Sequence, residues 1–347
     1  MTDPRDIPEA VLWHEGMMLA PQHFQLAARR GEQLLAYQMR AVRPYAWGVR
    51  RLLLDASQLP HGVVRVLELE AVMPDGLVIV HPLPDTGTLE CRLEPQELED
   101  GPKVVFVAVA ARLPQGQGNA LERYHQVGGP EISDETAHDG TTLAVTRLRP
   151  SLGLTVGDSA VSPPHARRVH LPLLRLGLRD QAFVLESYAP PCLEVVVGSL
   201  LDDSARRVAT RLRVKATALA EKLRAPTLEG GEVSTGETWS AVRALVATLP
   251  KLEALLLSQV AHPFDVYLAL CETLGHVSCL GGQPMVPRLA AYVHDDPLSA
   301  FTQVEQAIAS LLDRVREPYE TIRFRHHDDG GFSLALNAAW LRRDLVV

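Results

Sequence analysis

The spacing of apolar residues changes near Gly198, and this constrains the fold more than any other feature of the chain. Before that point apolar runs are short and broken by turns. Leu67, Leu69 and Ala71 alternate with Glu68 and Glu70, the period of a half-buried strand. Pro74-Asp75-Gly76 then predicts a turn before Leu77-Val78-Ile79-Val80. Further strand-like runs are Lys103–Ala110, Thr142–Leu148, Val169–Leu176, Ala182–Tyr188 and Leu193–Val197, with no helix expected between them. Residues 115–119 and 157–164 read as loops. Many short strands without crossover helices predict an antiparallel β-sandwich. Upstream of them, residues 22–42 have no proline and few strand formers and predict one early helix, weakened by Gly31.

After Gly198 four helical segments follow. The first, about Ser199 to Leu223, carries Leu201, Ala205, Val208, Leu212 and Leu219 with polar Lys215 on the seam. The second is expected to open on a capping box made by Ser234 and Glu237. It repeats Val242, Leu245, Leu249, Leu252 and Leu256 at spacings of three and four, with Pro250 expected to kink it. Pro263 and Pro297 mark the first turns of the third and fourth. The third repeats Val266, Leu270, Thr273, Val277 and Leu280; the fourth repeats Phe301, Val304, Ile308, Leu311 and Val315. A repeat of about 3.5 residues keeps one seam facing a neighbouring helix. That neighbour can be in the same chain, as in a four-helix bundle, or in another copy. In a homotrimer the seams of the second and fourth helices, Val242, Leu245, Leu249, Leu252 and Leu256 with Phe301, Val304, Ile308, Leu311 and Val315, are expected to contribute much of the contact between copies. The division expected is therefore 1–197 β-sandwich, 198–316 helical, and 317–347 the first strands of a further domain, largely absent.

Chemistry is sparse. There is no phosphate-binding glycine loop, no dinucleotide fingerprint and no nucleophile elbow; the string nearest to an elbow, Gly157-Asp158-Ser159-Ala160, lacks the second glycine. His14, Glu15 and His23 do not have zincin spacing. His326, His327 and Asp328 could ligate a cation, but they read more naturally as a polar turn; a metal-dependent hydrolase built on them is the enzymatic alternative. His294-Asp295-Asp296-Pro297 is helix-start chemistry with Asp296 as the N-cap. No catalytic residue, metal or cofactor is assigned. A net charge of -8 disfavours nucleic acid as the main partner. Cys91, Cys192, Cys271 and Cys279 form no C-x-x-C pair and read as small apolar residues in a reducing compartment. The first ten residues have no apolar signal region, and no stretch reaches the ~18 apolar residues of a membrane span. A cytoplasmic protein is expected.

The most unusual string is Trp13-His14-Glu15-Gly16-Met17-Met18-Leu19-Ala20-Pro21-Gln22-His23-Phe24-Gln25. It crowds aromatic and methionine side chains near a terminus. Such residues either pack on their own chain or anchor a partner. The string resembles the N-terminal hallmark of the TssK family of type VI secretion baseplate subunits, at Trp13, Glu15, Gly16, Met17, Leu19, Pro21, Gln22, His23, Phe24 and Gln25. Tyr45-Ala46-Trp47-Gly48, Met73-Pro74-Asp75-Gly76, His262-Pro263-Phe264-Asp265-Val266-Tyr267 and Tyr292-Val293-His294-Asp295-Asp296 are similar to later family motifs. The resemblance implies a shoulder like that of phage receptor-binding proteins, a helical neck and a head. It also implies a homotrimer whose shoulder meets the TssF–TssG wedge and whose head meets the TssJ–TssL–TssM membrane complex at the inner face of the inner membrane. A prophage receptor-binding protein is the alternative on the same fold. The hallmark is expected to be ordered and packed on a shoulder, with Glu15 and His23 in structural hydrogen bonds.

Overall fold

The computed structural model describes residues 4–112, 120–134, 136, 141–165, 167–224, 232–280, 285–314, 325–326 and 332–333. A first helix, α1 (Pro21–Val42), precedes two four-stranded antiparallel sheets. In the first sheet β1 (Gly48–Leu54), β2 (Val63–Val72) and β3 (Val78–His81) are neighbours, and β4 (Leu89–Arg92) also pairs with β2. The second orders β10 (Gly153–Gly157), β5 (Lys103–Ala110), β11 (Arg168–Arg179) and β12 (Ala182–Leu185). Between β5 and β10 lie a short helix, α2 (Ala120–Arg123), and two ribbons. One ribbon pairs β6 (Tyr124–Val127) with β9 (Arg147–Pro150); the other pairs β7 (Glu131–Ser133) with β8 (Thr142–Ala144).

The two sheets share one apolar core. Val64, Val66, Leu69 and Ala71 of β2 lie in the same cluster as Val105, Val107 and Val109 of β5 and Leu171 and Leu176 of β11. The opposite face of β5 is also covered, because Val104 and Phe106 pack with Ala160 and Tyr188. Burial on both faces explains why β5 reads as an unbroken apolar run while β2 alternates.

Several expectations are corrected here. The alternation of β2 is not continuous, because Val64 and Val66 point inward and so do Leu69 and Ala71, whereas Leu67 is 41% exposed. Glu68 pairs with Leu53 and Val66 with Leu54, so Leu67 is the extra residue of a bulge that reverses the faces. The run Thr142–Leu148 is divided between β8 and β9. Leu193–Val197 is not a strand; Cys192 makes an isolated bridge to Val49 beside it. The short α2 stands where no helix was expected. The loop at 115–119 lies outside the described residues. Cys279 is exposed rather than core, and Cys91, Cys192 and Cys271 are partly buried.

Gly76 closes the β2–β3 turn at φ +90°, and a Cβ there would stand 2.8 Å from the Cβ of Ala36 in α1. The guanidinium of Arg40 donates to the Pro74 carbonyl at the same turn. Gly76→Val should therefore both strain the turn and displace α1. A loss of about 1–2 kcal/mol in a denaturant titration is expected; an unchanged midpoint would contradict this placement of α1.

Helices α3 (Leu200–Arg224), α4 (Glu232–Ser258), α5 (Pro263–Val277) and α6 (Pro297–Arg314) share a second core. Gly198, at φ +77°, turns the chain into α3 and donates its N–H to the Asp202 carboxylate at 2.9 Å. Ser199 Oγ accepts from the Asp202 N–H, so the start of α3 is satisfied from both directions. Pro263 and Pro297 do begin their helices. Helix α4 begins at Glu232, two residues before Ser234, so Ser234 is not its N-cap. Pro250 lies inside α4. Leu245, Leu249, Leu252 and Leu256 of α4 and Phe301, Val304, Ile308 and Leu311 of α6 are all at most 8% exposed, and Val242 packs against them. Leu201, Ala205, Val208, Leu212 and Leu219 of α3 join them, as do Val266, Leu270 and Val277 of α5. Thr273 is fully buried and donates to the Ala269 carbonyl, which satisfies its hydroxyl inside the core. The seams are thus occupied by the chain's own helices. Val315 lies outside the described residues, as does most of 317–347.

Candidate partner surface

The N-terminal string forms a turn and then the first turn of α1. Gly16 takes φ +78°, where other residues are strained, and the Met17 N–H donates to the His14 carbonyl. The ring of His14 contacts the Glu15 carbonyl at 3.0 Å, and the Glu15 side chain is exposed. Pro21 is the first helical residue, where its missing N–H costs nothing. His23, three residues into the helix boundary, accepts from the Ala20 N–H through Nδ1 at 3.1 Å. The expected structural role of His23 is therefore seen. Gln22 is exposed beside it. Trp13 sits edge-on to His23 and against Phe24, each at 6.0 Å between ring centres.

The string does not pack on its own sheets. Trp13 is 50% exposed, Leu19 60% and Phe24 56%, while Met17, Ala20 and His23 are half-buried. Helix α1 has no fully buried residue at all. Of the two expected placements, on the chain's own shoulder or on a neighbour's, the first is not seen in the single chain, where Trp13, His23 and Phe24 cover one another. The exposed apolar surface continues along α1 through Leu35, Tyr37, Met39 and Val42. Sequence reading missed that extension, although Leu35, Met39 and Val42 have the same three-and-four spacing as the core seams. Exposed apolar side chains clustered on one element are the kind of surface that interaction sites use.

A cleft runs between α1 and the sheets, bordered by Arg29, Gln33, Met73, Arg123, Arg168 and His170. Among the described residues, Arg29 Nε, Gln33 Oε1 and both ring nitrogens of His170 are buried with no hydrogen bond of good geometry. Burial holds the His170 imidazole below its ordinary pKa. Across the cleft Arg123, only 4% exposed, donates to Asp75 at 2.6 Å and to the Ala110 carbonyl at 2.6 Å. This pair ties α2 to the β2–β3 turn and was also missed in the sequence.

Three motifs far apart in sequence meet at one junction. His262 is the N-cap of α5. Its Nδ1 accepts from the Phe264 N–H at 3.2 Å, and its Nε2 reaches the Tyr45 carbonyl at 3.1 Å. His294 reaches the Trp47 carbonyl through Nε2 at 2.9 Å and the Tyr292 hydroxyl through Nδ1 at 3.0 Å. The two imidazoles stack 5.4 Å apart, and Tyr45 stacks on His294 at 5.0 Å. Burial lowers the pKa of His262 and brings that of His294 down to about 4. Burial raises the neighbouring Asp295 carboxyl to about 6. Asp296 precedes α6 and pairs with Arg175 at 3.7 Å.

Among the described residues, no group of three or more His, Cys, Asp or Glu side chains is placed to hold a metal ion. His327 and Asp328 lie outside them. No helix among them is long and apolar enough to cross a membrane.

The comparisons with known proteins agree with this arrangement. The family model described as Bacterial Type VI secretion, VC_A0110, EvfL, ImpJ, VasE matches residues 23–345. The Pseudomonas aeruginosa protein named type VI secretion system baseplate component TssK1 is 27% identical over 320 residues, covering 87% of this chain and 69% of that protein. A crystal structure of TssK shares the fold with a TM-score of 0.77 at 19% identity, over 92% of this chain and 74% of the other. A chain of the type VI secretion TssK–TssF–TssG baseplate subcomplex, solved by cryo-electron microscopy, gives 0.71 at 21% identity over 88% and 99%. With a family model spanning most of its length, this chain belongs to the TssK family of bacterial type VI secretion baseplate subunits.

Proposed function

We propose that this chain is a structural adaptor rather than an enzyme, acting as a cytoplasmic homotrimer that joins the TssF–TssG wedge to the TssJ–TssL–TssM membrane complex. In this reading residues 1–197 form a β-sandwich shoulder, 198–316 a four-helix neck, and 317–347 belong to a head domain, to which the contact with the membrane complex is assigned. One observation carries the proposal: Trp13, Leu19 and Phe24 stay half or more exposed in the single chain. Such anchors gain binding energy when a partner desolvates them, roughly 1.5–3 kcal/mol for each one fully buried. A relative solved together with TssF and TssG supplies the partner class. Trimer contacts are assigned to the exposed hallmark and the α1 strip. The inward-facing α4 and α6 seams support a trimer only by keeping the neck rigid.

The test is a pull-down of the full chain with a TssF–TssG pair, alongside its mass by light scattering. Deleting residues 1–25 should abolish wedge capture, and Trp13→Ala should weaken it by about tenfold or more. A deletion variant that folds, keeps the wild-type mass and still captures the wedge would overturn the assignment of the hallmark. A wild-type monomer at micromolar concentration would overturn the trimer.

A further inference from the structure

We propose that His262 and His294 form an acid-sensitive latch holding the helical half of the chain to the entry of the first sheet. Both rings donate Nε2–H to backbone carbonyls of the same connector, Tyr45 and Trp47. That connector needs holding, since Tyr45 takes φ +59° and Gly48 φ +140°. A Cβ on Gly48 would stand 2.8 Å from the Pro191 carbonyl oxygen, so the backbone there is closely packed. The hydrogen bonds set the tautomers. Nδ1 of His262 must carry a lone pair to accept the Phe264 N–H, and Nδ1 of His294 can accept from the Tyr292 hydroxyl.

Protonation undoes this arrangement by two routes. A proton on Nδ1 of His262 points at the Phe264 N–H, so the cap of α5 is lost. Charging both rings also sets two cations face to face at a 5.4 Å separation. Other titratable and charged groups surround the pair. Arg43, ion-paired with Asp265, flanks His262. Tyr45 and Tyr292 pack against His294, and Tyr267 and Cys192 lie beyond Tyr292. Asp295 is buried beside them.

The signs can be separated. Both histidines have folded-state pKa values below the ordinary 6.5, and that of His294 falls to about 4. Their contribution is therefore complete above about pH 6.5 and is lost as pH falls below it, at up to roughly tenfold per pH unit for His294, and for His262 only down to its own lowered pKa. Asp295 acts the other way, because its folded-state pKa is raised to about 6 and its protonation favours the fold. Acidification should thus open the junction only while the two imidazoles are present.

The test uses the full chain and the double variant His262→Asn/His294→Gln. Asparagine can still cap α5 and glutamine can still donate to the Trp47 carbonyl, yet neither titrates. Peptide-resolved hydrogen exchange over residues 44–50 and 189–196 is followed at pH 7.5, 6.5 and 5.5, with times scaled to intrinsic rates. From pH 6.5 to 5.5 the wild type should open about two- to tenfold more, because Asp295 offsets part of the loss at the two rings. The double variant should show a flat or reversed response. Wild-type protection that is unchanged over this range overturns the latch, as does a double variant that keeps the wild-type slope. If the double variant does not fold, ring nitrogen NMR of the wild type decides. Two neutral Nε2–H tautomers at pH 6 support the latch, and a charged ring at pH 6 overturns it.

Discussion

Aspartate at both Leu249 and Leu252 is expected to unfold the helical half at every protein concentration. The two side chains are 4% and 0% exposed in the core shared by α3 to α6. Each substitution forfeits roughly 1.5–3 kcal/mol of burial. Each also places a carboxylate in an apolar interior without a partner. The combined loss exceeds about 5 kcal/mol, comparable to the whole stability of an ordinary domain. Circular dichroism in denaturant, run over a hundredfold range of concentration, checks this. A variant that stays fully helical but falls from trimer to monomer would mean that these leucines face another copy.

In the sheet half, Phe106→Ala is expected to cost roughly 3–5 kcal/mol. The ring is fully buried against Val104, Ala160 and Tyr188, and stands edge-on to His170 at 5.7 Å. Nothing nearby can swing in to fill the space, because β5 is paired on both sides by β10 and β11. Leu67→Ala is the contrasting case, with a change within about 0.5 kcal/mol. Leu69→Ala, one turn of the pleat further on, should cost about 2–5 kcal/mol. Equal losses at 67 and 69 in denaturant titrations would remove the bulge that separates them.

The two cores differ in how much of them could be read in advance. In α4 and α6 every seam position that the structure describes is in the core, because one helix face repeats without interruption over several turns. The same logic led to the right start at Pro263 and Pro297, where the local geometry of proline suffices. It failed at Ser234, since the capping spacing of a serine and a glutamate says nothing about a helix that begins two residues earlier. In β2 the alternating pattern was legible, but the bulge at Leu67 was not. The extra residue is defined by its pairing with β1, which lies outside any local window.

Local patterns by themselves determined the four long helices and strands such as β3, β5 and β11, though not α2 or the absence of a strand at 193–197, and the hallmark string together with the later motifs determined the family. Those properties depend on neighbours within a few residues, or on a string of residue types read directly. The direction each apolar face points was decided only by the tertiary structure. The seam of α4 and the strip of Leu35, Met39 and Val42 on α1 carry the same spacing, yet one is in the core and the other is left exposed. Periodicity marks a face as apolar but not what covers it, and covering depends on the packing of distant segments. For the same reason the meeting of Trp47, His262 and His294 was invisible in sequence. Hydrogen bonds across more than two hundred residues exist only once the sheets and helices are assembled.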